Sequence, residues 1–190
     1  QDKKYNGEPT RLQIGDNNTI REFCTLNTGT AQDTGVTRLG NNNWIMAYVH
    51  VAHDCQIGDN TIFANSVQLA GHVQVGDFAI LGGITGVHQF CRIGAHVITS
   101  GSSLVLKDIP PYVMASGNPA NAVSINAEGL KRRGFTPEAI AALRRAYKTI
   151  YRSGVTVDEA LVELRGQVRS CAEIQPLIDF LAVPGRGIVR

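Results

Sequence analysis

The sequence lacks most of the features that declare a function outright. No apolar run approaches the 18 or more residues of a membrane span, so stable insertion into a bilayer is not expected. There are only four cysteines (Cys24, Cys55, Cys91 and Cys171), with no Cys-x-x-Cys pair. That spacing suggests neither a zinc ribbon nor a disulfide framework, and it favours a reducing, cytoplasmic setting. Aromatic residues make up 6% of the chain and do not interleave with its basic residues, so nucleic acid is a poor partner. No signal peptide opens the chain. A start at Gln1-Asp2-Lys3 without a methionine suggests that residues precede it in a longer protein. What remains, 43% hydrophobic and 18% charged residues over 190 positions, fits one globular domain with an appendage.

What the sequence does have is a period. LGNNN, IGDNT, VGDFA and IGAHV begin at residues 39, 57, 75 and 93, each 18 after the last. Inside that spacing runs a period of six. Leu39, Ile45, Val51, Ile57, Phe63, Leu69, Val75, Leu81, Val87 and Ile93 form an unbroken ladder of large apolar residues. Four places after each comes a small or β-branched one, from Val49 and Cys55 to Cys91 and Val97. Neither a 3.6-residue helix nor a two-residue alternation produces this. It describes a parallel β-helix of triangular section, with one strand and one corner per hexad and three hexads per coil. The large and the small positions point inward, and Gly, Asn and Asp after the large residue suit tight corners. Residues 14–26 keep the phase, so about seven residues leave the register and 27–38 reads as a protruding loop. Beyond Ile109-Pro110-Pro111 the period decays and Gly117–Ala120 closes the prism. Thr136-Pro137 opens a helix and Gly154 stops it. Thr156–Glu159 and Ser170–Glu173 read as capping boxes of further helices. The expected architecture is mainly β: a left-handed parallel β-helix over 1–122 and an α-helical C-terminal domain over 123–190.

Stacking at 18-residue intervals places distant polar residues together. Gly71 lies one coil above His53, and Gln89 one above that. Asp54 and His72 share the next column, while His88 stands on the other side. These residues gather on one corner within roughly 10 Å, since adjacent coils are about 4.8 Å apart. They could be solvated corner residues. Three of the five histidines converging beside a carboxylate, with His50 three residues before His53, favours chemistry instead. A metal centre needs three ligands at fixed geometry, and no closely paired His-x4-His spacing is present, so no metal or cofactor is expected. A histidine near neutral pKa, oriented by a carboxylate, can take a proton from a hydroxyl. The bare N–H of a stacked glycine suits an oxyanion. Seven Lys or Arg lie between Asn126 and Arg152 against Glu128 and Glu138. They form a solvated basic face or a dock for an acidic protein.

QDKKY, GEPTRL, TIREFCTLN, HVAHDC, LAGHV, GVHQFCRIGAHV and above all NAEGLKRRGF resemble the UDP-N-acetylglucosamine acyltransferases of lipid A biosynthesis. The resemblance runs from Gln1 to Arg190 and implies that the family's first coils are missing. It implies a homotrimer that moves an (R)-3-hydroxyacyl group from acyl carrier protein to the glucosamine 3-hydroxyl of the sugar nucleotide. His53 is then the base, Asp54 its orienter and the Gly71 N–H the oxyanion donor. Asp2 and Lys4 touch the sugar. His50, Gln89, Asn126, Glu128, Arg132 and Arg133 surround the uridine diphosphate. His72 and His88 lie near the acyl hydroxyl and the sugar, and Gly101 measures the acyl chain. Rival readings are the later N-acyltransferase of the same pathway and a non-catalytic β-helix scaffold.

Overall fold

The computed structural model describes residues 3–190, and in it the six-residue period becomes a prism of three parallel sheets. Strands 18 residues apart pair in register, as Gln56 does with Gln74 and Gln74 with Arg92. All ten large residues of the ladder are at most 3% exposed, and the nine small ones from Val49 to Val97 are wholly buried. The inward set is therefore the core, and each large side chain removed from water contributes on the order of 1.5–3 kcal/mol. Between the first two coils the register is longer, with Arg11 paired to Val36 and Thr25 to His50. The extra residues leave the prism at 27–35. The loop is shorter than the expected 27–38 because Val36–Leu39 is already a strand, with Thr37 and Leu39 turned inward.

The corners differ from expectation in their chemistry. Positive φ falls three residues after the large inward residue, on Asn42, Asp54, Asn60, His72, Phe78, Phe90 and His96 among others. The glycines directly after the large residue are needed for another reason. At Gly76 a Cβ would lie 2.6 Å from the Ala95 amide nitrogen of the next coil, so close coil stacking rather than turn geometry selects glycine there. Asp54, His72 and Phe90 stack along one corner of the prism; Asn60, Phe78 and His96 stack along a second.

The prism ends in an antiparallel hairpin, Val113–Ser116 with Asn121–Ile125, so strand structure continues past the expected boundary at 122. Four α-helices follow: α1 (Ala127–Arg132), α2 (Pro137–Arg152), α3 (Val157–Gln167) and α4 (Gln175–Ala182). Thr136 caps α2 through the Ala139 N–H, and Thr156 and Glu159 form the full capping box of α3. Ser170–Glu173 forms none. Burial of Cys171 holds that residue extended between two single 3₁₀ turns, and the Ser170 hydroxyl donates to the Gln167 carbonyl instead. All four cysteines are free thiols, and burial pushes Cys55 up to about 12 and Cys91 to about 11. Cys24, in the first described coil, is only half-buried. Among the described residues no helix is long and apolar enough to cross a membrane.

Candidate active site

His53 and Asp54 occupy the corner after the strand His50–Val51. The His53 Nδ1 lies 2.9 Å from Asp54 Oδ2. Asp54 is only 2% exposed, although it belongs to neither inward position of its hexad. The protruding loop covers it. The Thr30 hydroxyl donates to Oδ2 at 2.6 Å, and the Thr30 N–H donates to both oxygens at 2.9 and 3.1 Å. Behind it, the Asp54 N–H donates to the Thr37 hydroxyl at 2.7 Å. Burial alone would raise the Asp54 carboxyl, but the Thr30 hydrogen bonds, then His53, hold it below the ordinary carboxylate value. A fixed carboxylate of this kind orients the imidazole with its proton on Nδ1, leaving Nε2 as the basic nitrogen.

Gly71 packs directly on that ring. A Cβ there would fall 2.5 Å from His53 Cε1 and 2.7 Å from Nε2, so no other residue leaves the imidazole in place. His72 follows, its N–H donating to the His53 carbonyl at 3.0 Å and its ring meeting His53 edge-on at 4.9 Å. Phe90, one coil further, stacks on His72 at 4.4 Å. His72 Nδ1 lies 2.6 Å from Asp33 Oδ2, a loop residue. Ligand atoms of His53, Asp54 and His72 lie within 4.8 Å of one another, close enough to share an ion. Each Nδ1 already faces a carboxylate, an arrangement suited to moving a proton. From this corner a groove of about 960 Å³ runs over Gln56, Gln74 and Arg92 towards Asp179–Arg186.

The other expected residues are placed more loosely. His88 and Gln89 sit on the next coil, where the His88 ring bonds to the Gln89 carbonyl at 3.0 Å. His50 projects from its strand towards Thr25, with Nδ1 and the hydroxyl 2.7 Å apart, and burial lowers its pKa. Asn126 caps α1 through the Gly129 N–H and donates to the His96 carbonyl, which ties α1 to the second corner. Arg133 lies over the Phe78 ring at 4.5 Å on that same corner, while Glu128 and Arg132 are exposed on α1. One chain therefore does not unite the α1 residues with His53. Lys4 is exposed ahead of the first strand, and Asp2 lies outside the described residues. Gly101 lies one coil above Gly83, and a Cβ on it would sit in ordinary van der Waals contact, 3.4 Å from the Gly83 carbonyl oxygen. Thr30, Thr37 and Asp33 were not singled out from the sequence, because the loop carries no period from which contacts follow.

A histidine–carboxylate pair on a six-residue β-helix corner marks an acyltransferase of the hexapeptide-repeat class, and residues 37–71 match the bacterial transferase hexapeptide family. Residues 108–189 match the second domain of UDP-N-acetylglucosamine O-acyltransferase. Over 190 residues the chain is 66% identical to the acyl-[acyl-carrier-protein]–UDP-N-acetylglucosamine O-acyltransferase of Thiobacillus denitrificans, covering 100% of this chain and 74% of that one. The crystal structure of the UDP-N-acetylglucosamine O-acyltransferase of Moraxella catarrhalis superposes with a TM-score of 0.98 at 52% identity, with the same coverage. The Acinetobacter baumannii structure gives 0.98 at 51%, again covering 100% and 74%. The chain belongs to the UDP-N-acetylglucosamine O-acyltransferase family.

Proposed function

We propose that the chain transfers a 3-hydroxyacyl group from acyl carrier protein to the 3-hydroxyl of UDP-N-acetylglucosamine, the first step of lipid A biosynthesis. The observation that carries this reading is the buried Asp54 carboxylate holding His53 against Gly71. The sugar hydroxyl attacks the thioester carbonyl as His53 Nε2 takes its proton. Charge then develops on the carbonyl oxygen, and the Gly71 N–H stabilises it. Collapse of the tetrahedral intermediate breaks the C–S bond, and the imidazolium returns the proton to the departing thiolate. Ester and free carrier thiol result, and no cofactor is consumed. The test is transfer by the purified protein from acyl carrier protein thioesters to UDP-N-acetylglucosamine and to its 3-amino analogue. No product with either nucleotide overturns the reading.

The site reaches completeness in a homotrimer. The His53 corner and the α1 corner are separated by a prism face of about 20 Å, six residues of extended chain. Residues on α1 that hold the nucleotide therefore come from a neighbouring copy, beside that copy's Phe78 and His96. Sedimentation should give three chains per particle, and a monomer with full activity would dismiss the arrangement.

Carrier docking is assigned to α2. Arg144, Lys148 and Arg152 line a groove of about 810 Å³ with Met114 and Tyr147, and Arg145 is exposed beside it. Reversing charge at Arg144 and Arg145 should raise KM for the acyl carrier protein about 10-fold while sparing the nucleotide sugar. Added salt should narrow the difference, because exposed charges are screened over about 8–10 Å. An equal, salt-independent loss towards both substrates would point to misfolding instead.

A further inference from the structure

The protruding loop does more than cover Asp54. Its backbone is pinned at one end, where the Gly29 N–H donates to the Arg11 carbonyl at 3.0 Å and Thr30 binds Asp54. A turn then follows, with the Asp33 N–H donating to the Thr30 carbonyl at 3.2 Å. The Asp33 carboxylate is fixed in rotation, because Oδ1 accepts the Thr34 N–H at 2.8 Å. Its Oδ2 is left for His72 Nδ1 at 2.6 Å. The corner thus holds two carboxylate–imidazole pairs, Asp54 with His53 and Asp33 with His72, whose rings touch edge to face.

We propose that Asp33 is a positioning residue that holds His72 with its proton on Nδ1, so that Nε2 can accept a hydrogen bond from a substrate hydroxyl. The imidazole nitrogen that faces a carboxylate carries the proton, which leaves the other nitrogen as the acceptor, and Asp33 is the carboxylate facing Nδ1 here. Among the described residues, Phe90 and His53 grip the ring on a face and an edge, and those contacts do not choose between nitrogens. Asp33 also keeps the two pairs apart. His72 Nδ1 lies 4.0 Å from Asp54 Oδ2, just beyond hydrogen-bond reach. Without Asp33 a small rotation lets His72 compete with His53 for the carboxylate that orients the base. The hydroxyl served is that of the 3-hydroxyacyl chain, a step that rests on the acyl-transfer reading above.

Nitrogen-15 NMR of the histidine-labelled full chain tests the tautomer without reference to activity. His72 should be protonated on Nδ1 in the unmodified protein and shift to a mixture or to Nε2–H in Asp33→Ala. In kinetics, Asp33→Ala should raise KM for a 3-hydroxyacyl donor about 3- to 10-fold, the loss expected of one neutral hydrogen bond. A donor lacking the hydroxyl should be affected less, so selectivity falls. Asp33→Asn should not restore it, because the single amide oxygen is claimed by the Thr34 N–H and the NH2 then faces Nδ1, which favours the Nε2–H tautomer. An Nε2–H tautomer in the unmodified protein, or an Asp33→Ala variant with unchanged tautomer and selectivity, overturns the assignment. If the unmodified protein transfers no acyl group at all, the acyl-transfer reading fails, and the tautomer measurement still decides the role of Asp33.

Discussion

Replacing His53 with alanine should lower turnover by about 10²- to 10⁴-fold, the range for loss of a general base. The fold should survive, because His53 fills no inward position and Asp54 keeps its hydrogen bonds to Thr30 when the ring is removed. Melting temperature and particle mass are therefore expected to stay close to those of the unmodified protein. The change should appear in kcat rather than in KM for the sugar, since the proton moves only in the transition state. The pH dependence carries a second signature. Asp54 is held below the ordinary carboxylate value, so it stays ionised wherever the base operates. Asp54 therefore contributes nothing to the acid limb of the rate profile, and that limb should vanish with His53→Ala. A folded variant with near-normal rates would remove His53 from the chemistry.

The part of this site that could be read in advance is the part that obeys the period. His53 and Gly71, like Asp54 and His72, are 18 residues apart on neighbouring coils, so the six-residue register alone places them on one corner. The inward ladder from Leu39 to Ile93 was legible for the same reason. Each side chain's direction repeats every six residues, and a slip of one would turn the core outward. Where the register is interrupted, legibility ends. Nothing in the spacing brings Thr30 to Asp54 or Asp33 to His72, because those contacts depend on how the loop folds back. The register puts Asp54 at neither inward position and so gives no reason for its burial, which the loop supplies. Tight corners are expected at the Gly, Asn and Asp that follow the large residue; positive φ falls on Asn42, Asn60 and Asp54, but also on His72 and Phe90 and not on those glycines. The coil accepts that cost at side chains because the stacked backbones need the glycines for close approach. At Ser170 a local pattern lost to packing: the capping sequence was present, but burial of Cys171 dictated the backbone.

Filling Gly101 with methionine should turn the enzyme from long acyl donors to short ones. In the proposed reaction a thioester at His53 would direct its chain onto the face of the sheet carrying His50, Gln68, Gly86 and Leu104, with Gly83 and Gly101 at its far edge. Apolar walls stand beside these glycines. Ile84 is 67% exposed next to Gly83, and a Cβ on Gly86 would touch Leu104 Cδ1 at 3.4 Å. On the proposal that the acyl chain follows this strip, Gly101, one coil beyond Gly83, would leave room for a long chain to pass. A corner glycine can be required for its backbone alone, which would make the substitution a test of stability rather than selectivity. That objection does not apply here. Gly101 is not in the left-handed region, which Ser102 occupies at φ 58. The nearest atom to a Cβ on Gly101 is the Gly83 carbonyl oxygen at 3.4 Å. Methionine therefore fits on the backbone, and its side chain is long enough to lie over the coil spacing of about 4.8 Å and block the strip. Each buried methylene contributes about 0.8 kcal/mol, so excluding four amounts to about 3 kcal/mol, or roughly 200-fold in relative specificity. Competing a long and a short 3-hydroxyacyl donor in one reaction measures this ratio directly. With melting temperature unchanged, Gly101→Met should invert the product ratio; an unaltered ratio in the folded variant would show that the chain ends elsewhere.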